Sequence, residues 1–228
     1  KKLLLENGAP TSADKRYITE GIEEIHWLAA LKPTNIGVAP FKDESRDYAE
    51  IALVSVQFRA KAKVPRLTEL IHRAIPYPLV LIAVQEDGAT VSLAHKRFSQ
   101  AESGKIVIEA VKSTAPIPVE PRPEQDAFLH SLALSAQPDK NLFTLYQSWM
   151  HRIDALAAAN ITGQYIAPEN TERAFVRETA LDDHSRIQRE LAALRASAAK
   201  EKQLNRRVEL NLRIQSLQSQ LDDAMKNL

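Results

Sequence analysis

Residues 72–84 read HRAIPYPLVLIAV, and this short stretch decides the fold. Two prolines flank Tyr77, and six apolar residues follow them as Leu79–Val84. Proline has no amide hydrogen and disfavours helical backbone at the residue before it, so Pro76 ends any helix that precedes it. The unbroken apolar run predicts a central strand that is covered on both faces. We therefore expect a helix, a proline corner and a central strand, in that order.

Further strand and helix patterns lie on both sides of this corner. Leucine and isoleucine recur at helical spacing over 65–75, and Thr11-Ser12 caps a short helix over 13–20. Asp87-Gly88 is typical of a hairpin turn after the central strand. Alternating or β-branched runs predict four more strands, over Gly21–Lys32, Glu50–Ala60, Thr90–Lys96 and Lys105–Val111.

Prolines also divide the chain into segments. We expect an α+β domain over 1–113, with a small mixed or antiparallel five-stranded sheet and one inserted helix. Residues 114–123 contain four prolines and predict an extended linker. An all-helical part follows, with a helical segment over 124–181 and a long C-terminal helix over 182–228. That last helix is expected to form a coiled coil or to dock on a partner.

The segment 182–228 contains neither proline nor glycine and carries two apolar stripes. The first stripe comprises Ile187, Leu191, Leu194, Ala198, Val208 and Leu212. The second, which we call the partner-binding helix face, comprises Leu210, Ile214, Leu217, Leu221, Met225 and Leu228. At 100° per residue the stripes are centred roughly 160° apart. We expect Ile187–Ala198 to pack on its own domain and Leu210–Leu228 to pair with another chain or helix. Packing of both stripes inside one helical bundle is the alternative.

A basic segment lies where the two stripes overlap. Its five cations outnumber the two glutamates of 200–213, and they are Lys200, Lys202, Arg206, Arg207 and Arg213. Ammonium and guanidinium groups in such a cluster bind phosphate, which predicts a nucleic-acid-binding surface. A solvated helix face with internal pairs such as Glu209–Arg213 is the alternative.

Composition excludes several kinds of chemistry. The chain has no cysteine, which rules out disulfides, thiolate nucleophiles and cysteine-bound zinc. Its six histidines have no i,i+3 or i,i+4 partner histidine, and 101–105 lacks the spacing of a phosphate-binding loop. We therefore expect no catalytic residue, no cofactor and no metal site. The aromatic residues Trp27, Tyr77, Tyr146 and Trp149 are candidate platforms for stacking nucleic-acid bases, but most of them lie at core periodicity, so we expect packing in the core instead. Apolar runs are too short to span a membrane, and we expect a cytoplasmic protein.

Four stretches together resemble an uncharacterised bacterial domain-of-unknown-function family, numbered 4391. They are IEEIHWLAALKPTNIGV (22–38), HRAIPYPLVLIAV (72–84), LYQSWMHRIDALAAANITGQY (145–165) and KEKQLNRRVELNLRI (200–214). Members of that family are often encoded beside DNA methyltransferases and helicases in restriction-type phage-defence loci. The resemblance brings no catalytic residues with it. It implies an accessory subunit of such a system.

The leading hypothesis is therefore a non-enzymatic interaction subunit. Its C-terminal helix would bind an operon-encoded helicase or DNA methyltransferase, or a second copy of the chain. The second hypothesis is a nucleic-acid-binding module that uses the basic segment to bind DNA. The third is an unrecognised nuclease.

Overall fold

The computed structural model describes residues 1–100 and 106–228. The Gly-Lys pair of 101–105 therefore lies outside the described residues. The chain forms two compact units, Lys1–Ile153 and Asp154–Leu228. The first unit contains a mixed five-stranded sheet with helices, and the second is helical. This arrangement confirms the predicted α+β class. The boundary between the units falls inside a helix, whereas the sequence placed one at the proline-rich segment.

Seven strands are described. They are β1 (Ile22–Leu31), β2 (Phe41–Lys42), β3 (Asp47–Tyr48), β4 (Ile51–Phe58), β5 (Leu79–Gln85), β6 (Gly88–Phe98) and β7 (Ile106–Ser113). The large sheet has the order β1-β4-β5-β6-β7, and β2 pairs with β3 separately. Only the β4–β5 pair of the large sheet is parallel, because a helix crosses from the end of β4 to the start of β5.

Eight α-helices are described. They are α1 (Lys2–Asn7), α2 (Ser12–Gly21), α3 (Pro33–Ile36), α4 (Val64–Ala74), α5 (Pro123–Ser131), α6 (Leu142–Thr162), α7 (Thr171–Lys200) and α8 (Leu204–Met225). Helices α1, α2 and α4 cover one face of the large sheet and enclose its main core. Thr11 caps α2 by accepting a hydrogen bond from the Asp14 amide, as the sequence predicts.

The corner at 72–84 has the predicted order of elements. Helix α4 ends at Ala74, Pro76 to Pro78 form the corner, and β5 follows as the central strand. The expectation that both faces of β5 are covered was wrong. Leu79, Leu81 and Ala83 are buried under the helices, whereas Val80, Ile82 and Val84 remain partly accessible on the opposite face.

The proline-rich segment 114–123 is attached to the sheet. Ile117 exchanges two backbone hydrogen bonds with Ala89 of β6, at 2.9 and 2.8 Å, and its side chain is buried. Its extended backbone therefore acts as a short strap along the edge of the β5–β6 turn, and we call residues 117–119 the strap.

The single long helix predicted over 182–228 is instead two helices. Helix α7 ends at Lys200, and α8 begins at Leu204. The intervening residues hold no glycine or proline, so local backbone preference does not cause the break. Two stripes about 160° apart cannot both be buried by one straight helix without two separate partners. Folding the chain back at its polar midpoint lets the α7 part of the first stripe cover the middle of the second stripe.

Candidate functional site

The second compact unit contains a helical hairpin, formed by α7 and α8. Its seam joins the two stripes that the sequence assigned to different partners. Leu191 is 1% exposed and Leu217 is 6% exposed in this contact. The seam comprises Ile187, Leu191, Leu194, Ile214, Leu217 and Leu221. Each buried aliphatic side chain contributes about 1.5–3 kcal/mol relative to exposure, so the seam stabilises the fold-back.

Polar contacts across the hairpin fix its register. Arg213 forms an ion pair of 2.7 Å with Glu190, and Arg195 donates to the Gln218 amide oxygen at 3.0 Å. At the opposite end from the turn, Arg177 donates to the carbonyl of Leu228 at 3.0 Å. These bonds lie on both sides of the apolar seam, so they select one alignment of α8 on α7.

The outer face of α8 near the turn is apolar and uncovered. Leu204, Val208 and Leu212 are 64%, 50% and 62% exposed, and they follow one another at i, i+4 and i+8. We call these three residues the tip stripe. They lie on the side of α8 away from the seam. Exposed cations lie near them in the chain, namely Lys200, Lys202, Arg206 and Arg207, and Arg206 lines a depression together with Glu201, Glu209 and Leu210. The turn of the hairpin is therefore both apolar and positively charged.

The structure distributes the predicted site residues over two environments. Of the partner-binding helix face, Leu217 and Leu221 are buried against α7, while Met225 is 40% exposed. The middle of this face therefore packs against α7 of the same chain, as the alternative of packing inside one helical bundle predicted. Of the basic segment, Arg213 pairs with Glu190. Within the part of the chain that the structure describes, the other four cations form no ion pair.

The first unit contains an apolar cleft that the sequence did not reveal. It has a volume of about 500 Å³ and lies on the face of the sheet opposite α4. Val80, Ile82 and Val84 of β5 form the floor, and this explains why they are only partly covered. Residues of β6, α5, α6 and the strap form the walls, including Val91, Leu93, Leu129, Trp149 and Val119.

Gly88 holds the strap against this cleft. Its φ is +138°, and a β-carbon there would lie 2.2 Å from the Ile117 carbonyl oxygen. Only glycine accepts both the backbone angle and the close approach. The wall at Trp149 is also fixed, because the indole Nε1 donates to the Leu132 carbonyl at 3.0 Å. The cleft is therefore a formed feature of the fold rather than a gap between loose segments.

Two buried polar clusters lie on the α4 side of the sheet. His72 Nε2 is 3.0 Å from Ser92 Oγ, and both side chains are at most 1% exposed. Burial, reinforced by the charge of Lys96, lowers the pKa of His72 to about 3. Lys96 donates to the carbonyls of Ile75 and Tyr77 at 2.5 and 2.6 Å. A histidine–serine pair sealed in this way has no access for a substrate, so its role is structural.

The Lys96 contact also explains the proline corner. Pro76 and Pro78 have no amide hydrogens, and the ammonium group of Lys96 supplies donors beside them. Tyr77 itself points outward and is 46% exposed. Its expected place in the core was wrong, as was that of Trp27, which is 54% exposed.

The other two aromatic residues are buried as expected. Tyr146 is fully buried, accepts from the Ala94 amide and donates to the Leu79 carbonyl, both at 2.8 Å. It thereby ties α6 to two strands.

Near Tyr146, the Tyr48 hydroxyl lies 2.6 Å from His95 Nδ1, and burial lowers the pKa of His95 to about 4. The sequence predicted no role for Tyr48 or His95, because the two residues are 47 positions apart in the chain and only the fold brings them together.

Neither a metal-binding cluster nor a membrane-spanning helix is found among the described residues. Over residues 1–100 and 106–228, no three acidic or histidine side chains come close enough together to hold a metal ion. Among the helices described, none combines the length and apolar character needed to cross a bilayer.

Comparison with known proteins gives a family but no activity. The chain matches no curated protein and no solved structure. A family model matches residues 1–221, which is nearly the whole chain. The four stretches from both compact units that carry the sequence resemblance all lie inside this match. The chain therefore belongs to the family described as Domain of unknown function (DUF4391).

Proposed function

We propose that this protein is a non-enzymatic interaction subunit that binds an acidic surface of a partner protein through the tip of its helical hairpin. The observation that carries the proposal is the tip stripe. Three exposed aliphatic side chains in one line form a continuous apolar patch, and such patches on protein surfaces mark binding sites. The cations that lie near it in the chain favour a partner whose binding surface is acidic.

The hairpin geometry supports this role in a second way. Burial of the seam holds α8 rigidly on α7, so the tip stripe is presented without a further ordering cost. An amphipathic helix face of this kind binds into an apolar groove through residues at i, i+4 and i+8. This differs from the surface predicted from the sequence, which used Leu217 and Leu221.

The family supplies the first partners to test. Its members are often encoded beside DNA methyltransferases and helicases in restriction-type phage-defence loci. We therefore propose a helicase or methyltransferase from the same locus as partner, with the protein acting in the cytoplasm as an accessory subunit. Self-association through the tip stripe is the other arrangement of this proposal.

The test measures binding of the full chain to the purified neighbouring helicase or methyltransferase by calorimetry, and its own mass by light scattering. Replacing Leu204, Val208 and Leu212 by serine should weaken association at least about tenfold, since buried interface anchors contribute over about 1 kcal/mol each. The matched control is the double variant Phe175→Ser with Val176→Ser. It removes exposed apolar area from α7 and leaves the tip stripe on α8 unchanged. Equal loss in both variants, or no association of the parent chain, overturns the proposal.

A second candidate function is DNA binding by the basic segment. It is favoured by the four tip cations that form no ion pair with described residues. Phosphate binding needs these charges but leaves the tip stripe uncovered, which is why we rank it second. Gel-shift titrations at two salt concentrations decide it. Affinity that falls steeply with salt and disappears on Arg206→Glu with Arg207→Glu would favour DNA binding. Metal-dependent DNA cleavage by that same variant would instead favour the nuclease hypothesis.

A further inference from the structure

We propose that the apolar cleft of the first unit binds a small amphiphile with an aliphatic or aromatic body and a cationic or neutral hydrogen-bond-donor end. This site is separate from the hairpin tip and is formed only by residues of Lys1–Ile153. Its volume of about 500 Å³ lies within the range of about 300–1,000 Å³ that small-molecule sites occupy.

The apolar lining of the cleft determines which kind of chemical group can be buried in it. Aliphatic side chains form the floor, and the one polar atom of Trp149 is already bonded to the Leu132 carbonyl. Among the described residues that line the cleft, the only other polar side chains are those of Gln85 and Glu86, at the end of β5 and in the turn after it. Any polar group buried over the aliphatic floor would lose its hydrogen bonds to water without replacement, which is unfavourable. The buried part of the ligand must therefore be hydrocarbon.

The walls favour a small molecule over a protein segment. Strands β5 and β6 are both paired on each side within the sheet, so they have no free backbone edge on which a peptide could add as a strand. The strap closes one side of the cleft and is pinned by the Ala89–Ile117 bonds. A preformed, partly enclosed pocket suits a compact ligand, because little ordering is needed on binding.

The polar residues at the rim of the cleft determine which charge the polar end of the ligand can carry. Among the described residues, Gln85 and Glu86 line the cleft with polar side chains, and Glu86 is the only charged one of that lining. Arg59 and Lys61 line a neighbouring depression that shares Gln85 and Glu86 with the cleft, but they do not line the cleft itself. A carboxylate end would meet Glu86 as a like charge, whereas an ammonium or hydroxyl end would be attracted or hydrogen-bonded. The cleft thus discriminates against fatty acids.

The experiment uses the full chain with three probes of equal chain length, decylamine, decanol and decanoate, in competition with the neutral dye Nile red. A Trp27→Phe background leaves Trp149 as the only tryptophan, so its fluorescence reports on the cleft. We expect saturable binding of one probe per chain. Decylamine should bind about fivefold more tightly than decanoate, the size of an exposed ion-pair effect, and Glu86→Gln should remove that difference.

Two variants localise the site. Ile82→Trp fills the floor and should abolish binding. If this variant fails to fold, Leu129→Glu places a charge at the lip, where the side chain is 40% exposed. Leu134→Glu is its matched control, because Leu134 is 43% exposed but does not line the cleft. Absence of saturable binding, tightest binding of decanoate, or equal loss in the Leu129 and Leu134 variants overturns the proposal.

Discussion

At the scale of single residues, Lys96 is a buried side chain that makes the stability of the fold depend on pH above neutrality. It is 4% exposed and its hydrogen-bond acceptors are neutral carbonyls, so burial lowers its pKa from 10.5 to about 7. Below pH 7 the folded protein holds a buried charge. Between pH 7 and 10.5 the unfolded chain binds a proton that the folded chain has released. Folding stability attributable to Lys96 must therefore rise with pH over this window.

We predict that Lys96→Met removes this rise, which is at most about 1.4 kcal/mol per pH unit. The measurement is urea unfolding of both proteins from about pH 6 to about pH 9.5. The window stops there because burial also raises the pKa of Tyr48, and that group acts in the opposite direction at high pH. Lys140→Met, at an exposed lysine, is the control and should leave the slope unchanged. A constant difference between wild type and Lys96→Met across pH would contradict the prediction.

The hydroxyl groups of Tyr146 and Tyr77 offer a second comparison. Tyr146→Phe leaves the Ala94 amide and the Leu79 carbonyl without that partner inside the core, and should cost about 1–3 kcal/mol of unfolding free energy. Tyr77→Phe should change it by less than about 0.5 kcal/mol, because Tyr77 is 46% exposed. Thermal unfolding measures both. If the two variants lose similar amounts of unfolding free energy, the hydrogen bonds of Tyr146 in the core contribute little to stability.

At the scale of elements, the hairpin seam predicts a contrast within α8. Leu217→Ala removes a buried side chain and should destabilise the hairpin by about 2–4 kcal/mol. Leu212→Ala, on the exposed tip stripe of the same helix, should cost little. Hydrogen exchange of α7 and α8 amides is the suitable measurement, since it reports on the hairpin itself. Equal protection in both variants would mean that the seam does not hold the helices together.

The strap gives a prediction at the same scale. Gly88→Ala places a methyl group against the Ile117 carbonyl and forces the strap away from β6, so stability should fall by about 1–3 kcal/mol. Gly37→Ala is the matched control. Gly37 also has positive φ, at +72°, but has nothing within 4 Å of the added carbon. Its cost should be about 1 kcal/mol from backbone strain alone. Thermal unfolding of the two variants separates steric displacement from strain.

At the scale of the whole molecule, the two candidate surfaces lie in different compact units. We predict that the tip-stripe serine variant keeps full affinity for decylamine, and that Leu129→Glu keeps full affinity for the partner protein. Each variant is titrated with both ligands under the same conditions. Loss of both affinities in either variant would show that the changes act through misfolding rather than through a binding surface.

At this scale, some features of the structure could be predicted from the sequence and others could not. Periodicity and proline positions predicted the sheet, its inserted helix and the central place of β5, because these depend on local pattern. The break after Lys200 was missed, because it depends on which apolar stripe covers which. The cleft was missed as well. Val80 and Ile82 look like any buried strand residues, and only the placement of α5, Trp149 and the strap leaves space above them.

The sheet order has a consequence for aggregation. β1 and β7 are the outermost strands of the sheet among the described residues. β1 carries Glu23, Glu24 and His26 and has two irregularities in its register, features that discourage pairing with another chain. β7 exposes Ile106, Val107 and Val111, each 36–38% accessible, and β1 exposes Trp27 and Leu28, which are 54% and 52% accessible. Both outer strands therefore present apolar side chains to solvent, and edge-to-edge association at high concentration is opposed at β1 by its acidic residues and its irregular register.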